Sequence, residues 1–357
     1  MQANKTAVHK KERDAALDTL KLWACLAVIV IHVSGRGVSA LDVHTGDWLA
    51  CTFWDSLARF AVPSFLMCTG ALMLSPRKVL SMETVWKKYF WKMLRILWFW
   101  GWMYLLFDVA GKAVSGTAPQ SGWLWGTVRD TLLFRDQIHL YYLQMLLLVY
   151  ACLPVLRVFT KNASDRELAY ALAVWLALGI LLPVLRGPLS HFGGVVPQLT
   201  ISMIWSAAGF ALLGYAMYVR PVKPERKNLY LALFLGGFAF TFGMTAFSSL
   251  HTGRVNADFM DGMTPGPAAM AAGAFGLVRV RHAGKTSSPR LTKLVNAGFC
   301  IYLVHYFFVL IFNHFGIDVT LFSPIAEIPA ETIVVFALAY CAYLVLRRIP
   351  FVRKYLI

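Results

Sequence analysis

Hydrophobic residues fall in long runs, separated by short polar stretches that are rich in Lys and Arg at every second boundary. Windows of about 19 residues locate ten runs, roughly 20–40, 52–74, 93–113, 138–157, 167–185, 198–219, 229–249, 264–280, 293–313 and 330–347. At 1.5 Å of rise per residue each run is long enough to cross the hydrocarbon layer as a helix. The pattern predicts an all-α polytopic membrane helical bundle of about ten transmembrane helices. No polar domain interrupts the runs, so residues 1–357 are expected to form a single membrane domain with tails at 1–19 and 348–357. No internal repeat is visible, which weakens an inverted-repeat transporter. Non-basic loops around 37–51, 114–137 and 186–197 are candidates for a lid, and 250–263 is a further polar loop.

Composition agrees with the pattern. Of 357 residues, 58% are hydrophobic and only 15% charged, too few polar groups for the surface of a soluble domain of this size. The net charge of +16 raises the prospect of a nucleic-acid partner. Its distribution argues against one. Basic residues gather in Lys5–Arg13, Arg77–Arg95, Arg157–Arg166, Arg220–Lys227, Arg279–Lys293 and Arg347–Lys354, whereas the opposite loops hold mainly Arg36, Lys112, Arg129, Arg135, Arg186 and Arg254. By the positive-inside rule both termini are cytoplasmic and the number of spans is even. The first run has the basic flank of a signal peptide but no convincing cleavage site, and is expected to stay as the first span. The six cysteines form no C-x-x-C pair, so neither a zinc site nor a disulfide framework is expected.

Polar residues inside the apolar runs carry the chemistry, because ionisable groups in a span are costly and usually face the bundle interior. His32 lies eleven residues after Lys21. In a helix that is about 16 Å along the axis and within about 20° of one face, so both are expected to look into one cavity. Asp18, one turn before Lys21, is positioned to pair with it. Arg59 lies about two turns inside the non-basic boundary of the second run, suited to an anion or to a carboxylate. Pro63 and Thr69-Gly70 follow it, where packing alone accounts for small residues. Lys88, Lys92 and Arg95 share one helical face, a cationic strip suited to phosphate or, equally, to lipid headgroups. His139-Leu-Tyr-Tyr-Leu-Gln144 opens the fourth run, its tyrosines resembling interfacial anchors. The ninth run places Asn296, Gly298, Tyr302 and His305 in an otherwise apolar helix. His32 and His305 lie at comparable depth. Taken singly, each residue also has a structural reading: an interhelical hydrogen bond for His32, a boundary lysine for Lys21.

G-x-S-x-G, G-x-x-x-x-G-K-[ST] and H-E-x-x-H are all missing, which removes support for serine hydrolysis, ATP-driven transport and zinc proteolysis. Two rivals from other classes remain, a secondary transporter or polymer-export protein and a bundle that serves only as an assembly scaffold.

The ordered set Asp18-x-x-Lys21-x-x-Ala24, His32, Val62-Pro63-x-Phe65 with Thr69-Gly70, His139-Leu-Tyr-Tyr-Leu and Gly298-x-x-Ile-Tyr302-Leu-x-His305 resembles acyltransferase family 3 over nearly the whole chain. These are bacterial membrane O-acyltransferases, including the branch that O-acetylates surface polysaccharides such as enterobacterial common antigen. The family's arginine, ten residues and histidine fall here on Lys21 and His32, and its Arg-x-x-Arg falls on Lys92-Met-Leu-Arg95. In both the first arginine is lysine, which keeps the charge and loses the planar fork. The usual Ser-Gly is Thr69-Gly70. The resemblance implies His32 as catalytic base, Lys21, Lys92 and Arg95 on the phosphates of the donor, and Arg59, His139, Tyr302 and His305 on the acceptor side. It implies no bound cofactor and no metal, with acyl-CoA, acetyl-CoA by expectation, as co-substrate. The implied partners are a glycan or lipid-linked sugar acceptor and membrane lipid, without nucleic acid, and the implied location is the bacterial inner membrane.

Overall fold

Asp14 starts the bundle: its carboxylate accepts from the backbone N–H groups of Ala16 at 2.8 Å and Leu17 at 3.2 Å, satisfying donors that a helix start leaves open. The helix it caps, α1, runs Ala15–Ala40. The computed structural model describes residues 13–76, 78–114, 116, 122–133, 138–185, 203–319 and 321–357. After α1 come α2 (Gly46–Ala58), α3 (Ala61–Met73), α4 (Met82–Val114), α5 (Trp123–Leu132), α6 (Tyr141–Asn162) and α7 (Asp165–Val184). Then follow α8 (Met203–Val219), α9 (Lys227–Thr252), α10 (Pro265–Arg281), α11 (Pro289–His314), α12 (Pro324–Leu346) and the short α13 (Pro350–Tyr355). No strand forms among the described residues.

Eight helical segments among the described residues are long and apolar enough to cross a membrane, with α2 and α3 counted together. The 17-residue helices α8 and α10 occupy the runs expected at 198–219 and 264–280, apart from residues 198–202, which lie outside the described residues. The chain is a multi-pass all-α membrane protein. The lid candidates 186–197 and much of 114–137 also lie outside the described residues, as do Arg77, Arg135, Arg186 and residues 1–12.

The loop expected at 37–51 is much shorter. Residues up to Ala40 continue α1, and Thr45 accepts from the Trp48 N–H at 3.2 Å to begin α2. The Trp48 indole then donates to the Val38 carbonyl at 3.0 Å, closing the corner. The second run is broken between α2 and α3 at Arg59-Phe60. Pro63 has no N–H for the Arg59 carbonyl four residues earlier, and this loosens the turn at that point.

At the centre, α1 packs against α2, α3, α10, α11 and α12. Small residues allow a close crossing between α3 and α8. A Cβ on Gly70 would lie 1.8 Å from the Ala211 carbonyl oxygen, and one on Gly214 2.1 Å from that of Met67. The close approach expected from Thr69-Gly70 is therefore a backbone-to-backbone contact.

One pairing differs from the sequence expectation. Asp18 binds Arg13, at 2.8 and 2.9 Å, and accepts from Ser287 at 2.7 Å, in place of pairing with Lys21. The reason is tertiary: Ser287 N–H donates to the Arg13 carbonyl at 2.9 Å and Ala15 N–H to that of Lys285 at 3.2 Å, which clamps the start of α1 to the loop before α11. Residues Val85–Phe90, at the start of α4, form a π-helical stretch, and Lys88 within it lies over the Tyr89 ring, 5.8 Å from its centroid.

Candidate active site

His32, about two turns from the non-basic end of α1, meets two other histidines. Its ring centroid lies 5.3 Å from that of His305 on α11 and 5.9 Å from that of His139, in the single 3₁₀ turn Ile138–Leu140 before α6. Tyr306 closes the group at 5.1 Å from His32 and 4.7 Å from His139, and Tyr104 of α4 lies 4.4 Å from His139. Residues far apart in sequence thus make one aromatic, histidine-rich centre inside an apolar bundle.

Tyr302 holds two of the three rings. Its hydroxyl donates to the His139 carbonyl at 2.5 Å, pinning the 3₁₀ turn against α11. Its own carbonyl accepts from His305 Nδ1 at 2.8 Å. Tyr104 ties α4 to the same helix by donating to the Leu303 carbonyl at 2.8 Å. His305 is 0% and His139 1% exposed, whereas His32 is half-buried. Neither ring nitrogen of His139, nor Nε2 of His305, has a hydrogen-bond partner among the described residues. Buried polar atoms are nearly always paired, so unpaired imidazole nitrogens gathered in one place mark a site that receives a polar ligand.

Arg59 stands at the break between α2 and α3. Its Nε donates to the fully buried carboxylate of Asp55, which also accepts from Ser34 of α1 at 3.3 Å. Arg59 interacts electrostatically with His32, Tyr141 and Asp261 as well. A buried charge is tolerated when paired, and Asp55 supplies the pair.

Lys21 belongs elsewhere. It lines a cavity of about 1020 Å³ at the basic end with Arg13, Asp18, Lys78, Tyr218 and Arg279. His32 is not among its lining residues. Between them on that face lie Cys25 and Val28, both buried in the bundle. Lys92 and Arg95 lie outside this cavity. Lys92 Nζ donates to the Ile357 carbonyl at 3.2 Å, and the Arg95 guanidinium sits 5.9 Å from the Tyr355 ring centroid. Both face the segment around α13.

The structure therefore brings together His32, His139, His305, Tyr302 and Arg59, and leaves Lys21 apart from Lys92 and Arg95. Sequence reasoning missed Asp55, Tyr306 and Tyr104. The i, i+4 spacing of Asp55 and Arg59 in an apolar run was a usable signal for the first, and adjacency to His305 was a weak one for the second. Nothing local marks Tyr104.

No curated protein and no solved structure matches this chain. Residues 14–345 match a family model described as an acyltransferase domain. That span includes the histidine centre, the Asp55–Arg59 pair and all but the first of the basic-cavity residues just named. The chain is a membrane acyltransferase belonging to acyltransferase family 3.

Proposed function

We propose that this acyltransferase moves an acyl group, acetyl in the favoured case, from acyl-CoA on the cytoplasmic side to a hydroxyl of a cell-surface or lipid-linked glycan, and that it works in a bacterial inner membrane. The observation that carries the reading is His32 among His139 and His305, with unpaired imidazole nitrogens inside a membrane bundle. Such a centre suits deprotonation of a hydroxyl. As neutral imidazole, His32 removes the hydroxyl proton while the oxygen attacks the thioester carbonyl. The carbon–sulfur bond then breaks, and the imidazolium returns the proton to the thiolate. General-base catalysis of this kind contributes roughly 10²–10⁴-fold.

The separate basic cavity supports a division of labour. Lys21, with Arg13, Lys78 and Arg279 beside it, offers charge-assisted hydrogen bonds to the phosphates of the donor. Lys92 and Arg95, engaged around α13, add positive charge at the same end. Arg59, held by Asp55, and His139 and Tyr302 line the side where the acceptor hydroxyl arrives.

The test uses purified protein in vesicles with labelled acetyl-CoA and an isolated glycan acceptor. Labelled O-acyl glycan is expected from the wild type and none from His32→Ala, with both equally inserted and folded. Solute uptake without acyl transfer, or near-normal product from His32→Ala, would overturn the reading. Labelled protein after donor alone would reveal an acyl-histidine intermediate; its absence favours direct transfer.

A further inference from the structure

Arg279, near the basic end of α10, lines two cavities. Its Nη1 donates to the carbonyls of Met217 and Arg220, the latter at 3.1 Å, and its guanidinium lies 5.3 Å from the Tyr218 ring centroid. These bonds satisfy carbonyls that the end of α8 leaves open, and they tie α10 to α8. No carboxylate forms an ion pair with Arg279 among the described residues. One of the two cavities is the one that holds Lys21. The other, of about 560 Å³, is lined by Arg220, Lys223, Arg226, Arg279 and Tyr230, with Asp165 as the acidic member of its lining.

Positive-inside sorting accounts for basic residues at this end, but not for their gathering around a concave space of ligand size. The larger cavity sets Asp14 and Asp18 against its cations, and Arg13 is already bound to Asp18. In the smaller one Asp165 meets Arg220 at 3.3 Å, an exposed pair that a phosphate can displace, and neither Lys223 nor Arg226 has a carboxylate partner among the described residues. Positive charge is thus left unanswered where an anion can reach it. Tyr230 adds an aromatic wall seated on α10, since a Cβ on Gly276 would lie 2.3 Å from its ring.

Resting on the acyl-transfer reading above, we infer that the two cavities form one donor groove joined at Arg279, and that the smaller receives the nucleotide end of CoA, with its 3′-phosphate on Lys223 and Arg226. The diphosphate then lies with Lys21 and Lys78 in the larger cavity, and Arg279 stands between the two phosphate sites. A phosphomonoester carries about −1.5 to −2 charge at pH 7 and three strong acceptor oxygens, so it calls for more than one cation. The purine beside it has a face that stacks on an aromatic ring such as Tyr230.

The experiment compares acetyl-CoA with acetyl-3′-dephospho-CoA as donors in phosphatidylcholine vesicles, after wild type has decided whether acyl transfer occurs at all. Wild type is expected to show a KM about 10–10²-fold lower for acetyl-CoA, the difference that hydrogen bonds to a charged group produce. The double variant Lys223→Ala/Arg226→Ala changes two exposed positions and leaves Arg279 in place. It is expected to bring the two KM values within about threefold of each other. Equal values in the wild type, or an undiminished difference in the variant, overturns the inference. Independently of turnover, calorimetric titration of the wild type is expected to give a Kd for adenosine 3′,5′-bisphosphate at least about tenfold below that for adenosine 5′-monophosphate, a gap the variant loses. Repeating the titrations with phosphatidylglycerol in the vesicles separates the two sources of phosphate. Equal binding of both nucleotides, with the variant altering only the retention of phosphatidylglycerol, would assign the smaller cavity to lipid headgroups and sink the proposal.

Discussion

Asp55 shows how a single side chain sets the character of the site. Its carboxylate is fully buried and paired with Arg59, so removing its charge leaves a guanidinium stranded beside His32. Breaking such a pair from one side costs about 3–5 kcal/mol. Asp55→Asn is therefore expected to lower the apparent melting temperature in detergent, followed by fluorescence-detected size exclusion after heating; an unchanged transition would show that the pair is dispensable. Lys21 is, with Lys92, one of two positions where the resemblance to the family predicts arginine and this chain has lysine. Losing a hydrogen bond to a charged group costs about 1.5–3 kcal/mol, which corresponds to roughly 10–10²-fold in donor affinity. Lys21→Ala is thus expected to raise the donor KM by that factor, and Lys21→Arg to keep it low. A donor KM that ignores Lys21→Ala would remove the residue from the mechanism. The sequence already made His32, Lys21 and Arg59 visible, because a charge or an imidazole in an apolar run is conspicuous. Asp18 illustrates the limit: its spacing from Lys21 suggested a local pair, and the docked loop 282–288 supplied better partners through Arg13 and Ser287.

At the scale of elements, the break at Arg59-Phe60 and the crossing of α3 with α8 decide where the site residues go. Pro63 removes the donor that the Arg59 carbonyl needs, and the interruption turns Arg59 into a residue at a helix end. The crossing depends on two glycines. A methyl group on Gly70 has no room against the Ala211 backbone, which cannot swing aside as a side chain does. Gly70→Val is expected to force the helices apart and cost about 1–3 kcal/mol, read as a lower melting temperature; Leu72→Val, at a largely exposed position on the same helix, is the control. A Gly70→Val protein as stable as wild type would mean that the two helices are not in contact in the membrane. The π stretches in α4 and α7 were not legible in sequence. Their wider turn answers to packing rather than to a local motif.

For the whole molecule, the basic cavity and the histidine centre occupy different depths along α1, with buried Cys25 and Val28 between them. The charge distribution predicts that the basic end is cytoplasmic, and the test is direct. In a background lacking reactive cysteines, Asp42→Cys is expected to react with a membrane-impermeant maleimide in intact cells, and Arg353→Cys only after permeabilisation. Labelling of both from outside would reverse or break the topology. The sequence by itself determined the class and the ten apolar runs, because apolar length is a local quantity that a bilayer reads directly. Tertiary structure alone decided that His139 and His305 join His32, and that Tyr302 fixes both of them. Those outcomes depend on which helix faces pack together and at what height, and residue spacing within a single helix carries no information about either.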